Sequence, residues 1–337
     1  MSHAAVPATH REVRLVARPR GPLTGEEFEV VEVPVPEPGS GQLLVRNRTV
    51  SVAAAMRSLM DEKSGIPVPS YELGKPVWGA AVGEVVAAPG TRFAPGDLVS
   101  TVTGWREYAV VDEAAATRLT PGVLPDPAAY LSQGPTAYMG IVRGAEVRPG
   151  DTVFVTGAAG GVGSLAGQIA RLRGAVRLIG STGSPRKAEV LTRELGYDAV
   201  VLRGAGPVEE QLRAAAPDGI DAVLDNVGGE QLEAALRLAN RRARVALVGA
   251  LSDQLGTKAP ACFDTLSLIS RGIVLRGMSG LDHHDLLPEW HDFFGRGLRD
   301  GSLTFPHTRL TGLDRAPGAL AELIEGRHVG ALLVDLP

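Results

Sequence analysis

Residues 151–173 read Asp-Thr-Val-Phe-Val-Thr-Gly-Ala-Ala-Gly-Gly-Val-Gly-Ser-Leu-Ala-Gly-Gln-Ile-Ala-Arg-Leu-Arg. Val153, Phe154 and Val155 form an unbroken apolar run, the pattern of a central parallel strand buried on both faces. A turn of small residues follows, from Gly157 to Gly163. Val162, Leu165, Ala166, Ile169 and Ala170 then recur at i, i+3, i+4, i+7 and i+8, which is one face of a helix. Strand, tight turn and helix together make a phosphate site. The first backbone N–H groups of the helix lack partners, its dipole is positive there, and residues without bulk let a diphosphate approach. Gly157, Ala159, Gly160, Gly161, Val162 and Gly163 are therefore expected to grip a dinucleotide.

Outward from this unit the pattern alternates. Residues 175–179, 199–202, 221–225, 245–248 and 273–276 read as strands, with helices at 185–195, 208–215, 230–239 and 286–300. That order gives a doubly wound parallel sheet of the Rossmann type, an α/β fold. Before it, residues 13–111 carry short β-prone runs (43–45, 81–86, 98–102 and 108–111) separated by Pro and Gly. These predict a mostly antiparallel, partly closed barrel, with one short helix at 53–62. Residues 1–10 read as a loose tail, and 128–144 as helical with a break at Gly134-Pro135. The tail from 303 adds a helix and a strand at 331–334.

At 337 residues two domains are expected, and a hydrophobic fraction of 44% with 21% charged residues is that of a soluble globular chain. A net charge of −4 favours neither nucleic acid nor an acidic membrane surface. The single cysteine, Cys262, excludes an internal disulfide and a multi-cysteine metal site. No apolar run reaches about 18 residues, and the first residues lack a signal-peptide core. The expectation is a cytoplasmic protein with a small-molecule substrate and no metal, nucleic-acid or membrane partner.

The end of the second strand of the sheet selects the dinucleotide. NAD sites usually carry Asp or Glu there for the ribose hydroxyls. Here the strand runs into Gly180, Ser181, Thr182, Gly183 and Ser184, with Arg186 and Lys187 next and Arg203 after the third strand. Small hydroxyl residues with nearby cations suit a 2′-phosphate, so NADP is favoured over NAD.

These residues resemble the zinc-independent alkenal/enone double-bond reductases of the medium-chain dehydrogenase/reductase superfamily, a branch that includes prostaglandin and curcumin reductases. The likeness runs through Arg18–Asn47, Gly104-Trp105-Arg106-Glu107-Tyr108, Gly134-Pro135-Thr136-Ala137-Tyr138, Thr156–Ile169, Asp225-Asn226-Val227-Gly228-Gly229 and Arg276-Gly277-Met278. The resemblance implies a GroES-like β-rich domain at 1–127 and 303–337 around a Rossmann domain at 128–302. It implies NADP(H) as cofactor, Lys187 at the 2′-phosphate with Arg203 in place of a phosphate-contacting tyrosine, and Asn226 against the cofactor. Met278, Ser279 and Gly280 would hold the nicotinamide carboxamide. Thr136, Gly249, Leu251, Ser252 and His328 complete the implied cofactor set. A homodimer through the last strand of the sheet, around residues 273–277, is implied too. The zinc ligands of related alcohol dehydrogenases are missing.

The chain also departs from that pattern. Ala53-Ala54-Ala55-Met56-Arg57 stands where relatives have Asp-Pro-Tyr-Met-Arg, so Ala55 replaces a pocket tyrosine. Leu251-Ser252-Asp253-Gln254 stands where they have Ile-Ser-Gln-Tyr, so Gln254 replaces the tyrosine that steadies the enolate oxygen. His328-Val329-Gly330-Ala331 replaces Asn-x-Gly-Lys. Ala55, Met56, Arg57, Trp78, Trp105, Tyr138, Gln254 and Met278 are the expected pocket residues, with Gln254 and Tyr138 as candidate catalytic groups. The implied reaction is hydride transfer from NADPH to a C=C bond conjugated to a carbonyl. The alternatives are quinone reduction, or an NADPH-binding protein whose redox chemistry is lost.

Overall fold

A computed structural model of the chain describes residues 6–251 and 260–337. Ser252 and Gln254 lie outside the described residues. The chain divides into two compact units, one of 1–131, 308–327 and 331–337 and the other of 132–307 and 328–330.

The first unit opens with β1 (Thr9–Leu15) and β2 (Phe28–Pro34), an antiparallel pair. Residues 9 and 10 thus belong to a strand, which corrects the expectation of a loose tail. The alternation is disguised because His10 and Glu12 face inward at 4% and 6% exposure. There follow β3 (Gln42–Val52), α1 (Ala55–Leu59), β4 (Ala81–Ala87), β5 (Leu98–Thr101), β6 (Tyr108–Asp112) and β7 (Thr117–Arg118).

The second unit runs through α2 (Gly134–Met139), β8 (Thr152–Val155), α3 (Gly163–Leu172), β9 (Arg177–Thr182), α4 (Pro185–Arg193), β10 (Ala199–Leu202) and α5 (Val208–Ala215). It continues with β11 (Ile220–Asp225), α6 (Gly229–Leu238), β12 (Ala239–Leu247), α7 (Thr265–Arg271), β13 (Val274–Gly277) and α8 (Leu287–Asp300). β14 (His307–Thr311), α9 (Arg315–Ile324) and β15 (Ala331–Asp335) carry the chain back into the first unit.

In the first unit the larger sheet has the order β14-β15-β3-β4-β5-β7, with β6 also on β3. β3 is its trunk: eleven residues long, it pairs antiparallel with β15, β4 and β6. Its core gathers Val13, Leu15, Val50, Val52, Met60, Trp105, Leu332 and Val334, all almost fully buried. In the second unit six strands lie in the order β10-β9-β8-β11-β12-β13 and every pairing is parallel. Strand order reverses between β8 and β11, so the ligand crevice of a doubly wound sheet is expected outside the carboxyl ends of these two strands.

The entry to this unit differs from the expected break at Gly134-Pro135. A 3₁₀ turn at Pro127–Leu131 ends first, and α2 starts at Gly134 with Pro135 in its opening turn. Proline is accepted there because its missing N–H would have had no partner.

Candidate cofactor and substrate site

β8 delivers the chain to its carboxyl end at Thr156, and Gly157 turns it with φ +60, a conformation strained for any side chain. The turn is tied on both flanks. Gly157 N–H donates to Ser181 Oγ at 3.0 Å, and Ala158 N–H to the Ser181 carbonyl at 2.9 Å. Gly160 N–H closes onto the Gly157 carbonyl at 3.0 Å, and Ser164 N–H onto that of Gly160 at 2.9 Å. The N–H groups of Gly161, Val162 and Gly163 donate to no described group. Three consecutive amides without an acceptor among the described residues stand at a helix start, an arrangement that suits an anion. Gly163 is needed for its lack of bulk: a Cβ there would stand 2.5 Å from Ala158 Cα.

On the β9 side, Ser181 and Thr182 are buried and Gly183 is exposed. The Ser181 hydroxyl is engaged within the protein, accepting from Gly157 and donating to the Gln231 carboxamide oxygen. It therefore supports the turn. Arg203 follows β10 and lies against Gly183, where a Cβ would meet its Nη2 at 2.6 Å. Lys187, in the first turns of α4, sits in the field of Arg186 and Arg203. Burial first, and those two cations next, push its ammonium below the ordinary lysine range. None of the three cations has a carboxylate partner among the described residues. A half-buried lysine between two arginines is an incomplete charge arrangement, and a dianionic phosphate would complete it.

On the β11 side the polar groups answer one another. Thr156 Oγ1 donates to Asp225 at 2.7 Å, and the carboxylate also accepts from Gly228 N–H at 2.9 Å and Val227 N–H at 3.3 Å. Burial raises the Asp225 pKa, and these three hydrogen bonds oppose the rise. Asn226 donates from its backbone to Thr156 Oγ1 at 2.8 Å and from Nδ2 to the Thr156 carbonyl at 2.6 Å. Val248 and Gly249 N–H reach the Asp225 carbonyl, and Leu251 N–H reaches that of Asn226 at 3.0 Å. Asp225 and Thr156 were not singled out as site residues from the sequence. The available signal was a polar residue at the carboxyl end of each of two apolar strands.

Beyond β13, Met278 N–H bonds the Leu247 carbonyl at 2.9 Å, and the Ser279 hydroxyl accepts from Leu281 N–H to start the turn that contains Gly280. Thr136 stands half-buried on α2. His328 belongs to a three-residue segment laid on the phosphate turn, in which Gly330 N–H bonds the Ala159 carbonyl at 2.9 Å and Gly330 bridges Gly160.

Tyr138, a candidate acid, is 5% exposed and packs against Trp290 and Phe293 at 5.8 and 5.2 Å. Its hydroxyl donates to Glu289 at 2.6 Å, and burial with that carboxylate pushes its pKa up to about 12. A hydroxyl so held is a poor proton source at neutral pH.

In the first unit Ala55 is exposed at the start of α1, Met56 is buried, and Arg57 pairs with Asp61 at 2.9 Å. Trp78 is half-buried with Tyr71 edge-on at 5.2 Å. Trp105 corrects the expectation of a pocket wall. It has no exposed surface, tilts against Phe28 at 5.4 Å and donates Nε1–H to the Ser51 carbonyl at 3.1 Å, so it is a core residue.

Residues 11–119 match the family described as the N-terminal domain of oxidoreductase, and residues 161–294 the family described as zinc-binding dehydrogenase. The putative NADP-dependent oxidoreductase YfmJ of Bacillus subtilis is 33% identical, over 98% of this chain and 98% of its own. The chain belongs to the medium-chain dehydrogenase/reductase superfamily. This reductase is also similar to the 2-alkenal reductase (NADP(+)-dependent) of Nicotiana tabacum, 31% identical over 90% of each chain. Among solved structures, CurA of Vibrio vulnificus in complex with NADPH matches with a TM-score of 0.90 and 29% identity, over 97% of this chain and 99% of that one. These likenesses fall in the zinc-independent alkenal/enone reductase branch. Among the described residues of the reductase, no group of three His, Cys, Asp or Glu side chains is placed to hold a metal ion.

Proposed function

We propose that this reductase uses NADPH to reduce a carbon–carbon double bond conjugated to a carbonyl. The observations that carry the cofactor half are the set Arg186, Lys187 and Arg203, without a carboxylate partner among the described residues, and the three amides at the start of α3 without an acceptor among them. Gly161, Val162 and Gly163 would hold the diphosphate, Lys187 and Arg203 the 2′-phosphate, and the Met278–Gly280 backbone the carboxamide. The substrate half is supported by the similarity to a 2-alkenal reductase. Bound NADPH supplies a hydride to the β-carbon of such an alkene, and negative charge gathers on the substrate's carbonyl oxygen.

The protein's task is then to hold the dinucleotide still and to place a hydrogen-bond donor at that oxygen. One such donor contributes about 3 kcal/mol in comparable oxyanion sites. Tyr138 is committed to Glu289. Gln254 carries the role in our reading, on the resemblance alone, since it lies outside the described residues. Its amide donates but supplies no proton to the product carbon; in this reading the α-carbon takes its proton from solvent water as the enolate collapses, so the double bond gains one hydride and one proton.

The test is a panel of enals, enones and quinones with absorbance at the reduced nicotinamide band. Turnover of enals and enones is expected. Quinone turnover alone would replace this reading by quinone reduction, and NADPH binding without oxidation by any acceptor would remove the reductase reading. Gln254→Leu should lower kcat about a hundredfold, and an unchanged kcat would take Gln254 out of the mechanism.

The active form in this reading is a cytoplasmic homodimer joined along β13. That strand is the edge of its sheet; its own Val274 is 39% exposed, and Leu266 and Ile269 on the preceding helix are 70% and 75% exposed. An unpaired edge with apolar neighbours favours pairing with a second copy. Sedimentation should give twice the chain mass, and Val274→Lys with Ile269→Lys should halve it.

A further inference from the structure

The start of α6 carries a buried amide that the assignments above do not use. Gln231, the third residue of that helix, is 7% exposed. Its carboxamide oxygen accepts from the Ser181 hydroxyl, and that hydroxyl accepts from Gly157 N–H at 3.0 Å. This chain of donors fixes which end of the amide faces Ser181. The Ser181 oxygen already receives the Gly157 proton, so its own proton needs an acceptor, and only the oxygen end of Gln231 is one. The nitrogen end is then held in place without a partner: Nε2 has no acceptor among the described residues. It is not sealed in, because the enclosed side-chain atoms that lack a partner among the described residues are Arg106 Nε and Ser132 Oγ. A donor left unpaired on so buried a side chain costs stability, and such a group in a native fold calls for an explanation.

Position supplies one. Ser181 is the last but one residue of β9, and the carboxyl end of that strand receives the adenosine ribose in a doubly wound sheet. The oxygen and nitrogen of a carboxamide share one carbon, so Nε2 stands beside this strand end with no rotation needed. We propose that Gln231 binds the adenosine moiety of the dinucleotide, its Nε2 donating to a neutral acceptor there, a ring nitrogen of the base or the ribose 3′-oxygen. The proposal rests on the dinucleotide reading above. In that reading the anionic groups on either side of the adenosine have other partners, the diphosphate at Gly161–Gly163 and the 2′-phosphate at Lys187 and Arg203. The rest of this half offers uncharged acceptors, and an uncharged amide meets them without a charge to desolvate.

Two substitutions in the full chain separate a ligand from a prop. Gln231→Met and Ser181→Ala both cut the bond between the two side chains, but only the first removes Nε2. If Gln231 merely props Ser181, Ser181→Ala does at least as much harm. Binding is read by calorimetric titration with 2′,5′-ADP, which carries the adenosine and neither the nicotinamide nor the diphosphate bridge. Gln231→Met should weaken it about five- to tenfold, and Ser181→Ala less than about threefold. Unchanged affinity in Gln231→Met, or an equal or larger loss in Ser181→Ala, would overturn the proposal. Deaza analogues of the base and a 3′-deoxy analogue of the ribose, each lacking one candidate acceptor, locate the contact. One of them should cost the unaltered protein about the same factor and cost Gln231→Met nothing further. If the loss with every analogue persists in Gln231→Met, the proposal falls. Should Gln231→Met not fold, Gln231→Asn withdraws the same amide by one methylene, and undiminished affinity in it would also overturn the proposal. If the unaltered protein binds neither 2′,5′-ADP nor NADPH, the cofactor reading itself fails.

Discussion

The two halves of the six-stranded sheet, on either side of β8, treat their polar groups in opposite ways. At the ends of β9 and β10, Lys187 stands between Arg186 and Arg203 with its charge disfavoured and no carboxylate among the described residues to restore it. At the ends of β8 and β11, Thr156, Asp225 and Asn226 satisfy one another and the backbone around them. The first half is electrically incomplete and the second is complete. Incompleteness marks where a ligand supplies the missing charge. Completeness marks where the chain must hold its own backbone still, so that a bound group meets a fixed surface.

Breaking the complete half should have the largest effect. Asp225→Ala leaves Thr156 Oγ1 and the N–H groups of Val227 and Gly228 without their acceptor, at a cost of about 3–4 kcal/mol in urea unfolding. A loss below about 1 kcal/mol would mean the network does not hold that half together. Ser181→Ala should cost about 1–2 kcal/mol, because Gly157 N–H and Gln231 both lose a partner. Its NADPH affinity should change less than about threefold. A large affinity loss at unchanged Tm would instead make Ser181 a ribose contact, as its sequence position suggests.

The smallest effect is in pH. Only the ammonium form of Lys187 pairs with a phosphate, and its pKa lies below the ordinary lysine value. NADPH affinity should therefore fall as pH rises through that lowered value, while NADH affinity stays level. The loss between pH 7 and 9 should stay below about tenfold, and parallel profiles for the two dinucleotides would remove Lys187 from the phosphate site.

Much of the incomplete half was legible in one dimension. Val153–Val155 and the glycine turn are contiguous, and Lys187 and Arg203 follow strands whose apolar runs are plain. The complete half was not, because Thr156 and Asp225 lie 69 residues apart and meet only across neighbouring strands. Ser181 was placed at the right strand end, but its partner Gln231 is 50 residues on, so the hydroxyl's engagement was invisible. In the first unit, β1 was hidden by inward polar residues: His10 accepts Tyr108 N–H at 3.3 Å and Glu12 pairs with Arg14 at 2.7 Å. Trp105 was drawn to a pocket by its motif, whereas its ring fills the core. Periodicity reports burial of apolar groups and is blind to buried polar groups that find distant partners.

The claim that the β9–β10 end waits for a phosphate is tested most directly by calorimetric titration of the protein and of Lys187→Gln/Arg203→Gln with NADPH and NADH at one salt concentration. The account predicts NADPH bound at least about a hundredfold more tightly than NADH by the unaltered protein, and near-equal affinities in the double variant. Equal affinities in the unaltered protein, or a preference for NADPH that survives both substitutions, would contradict it.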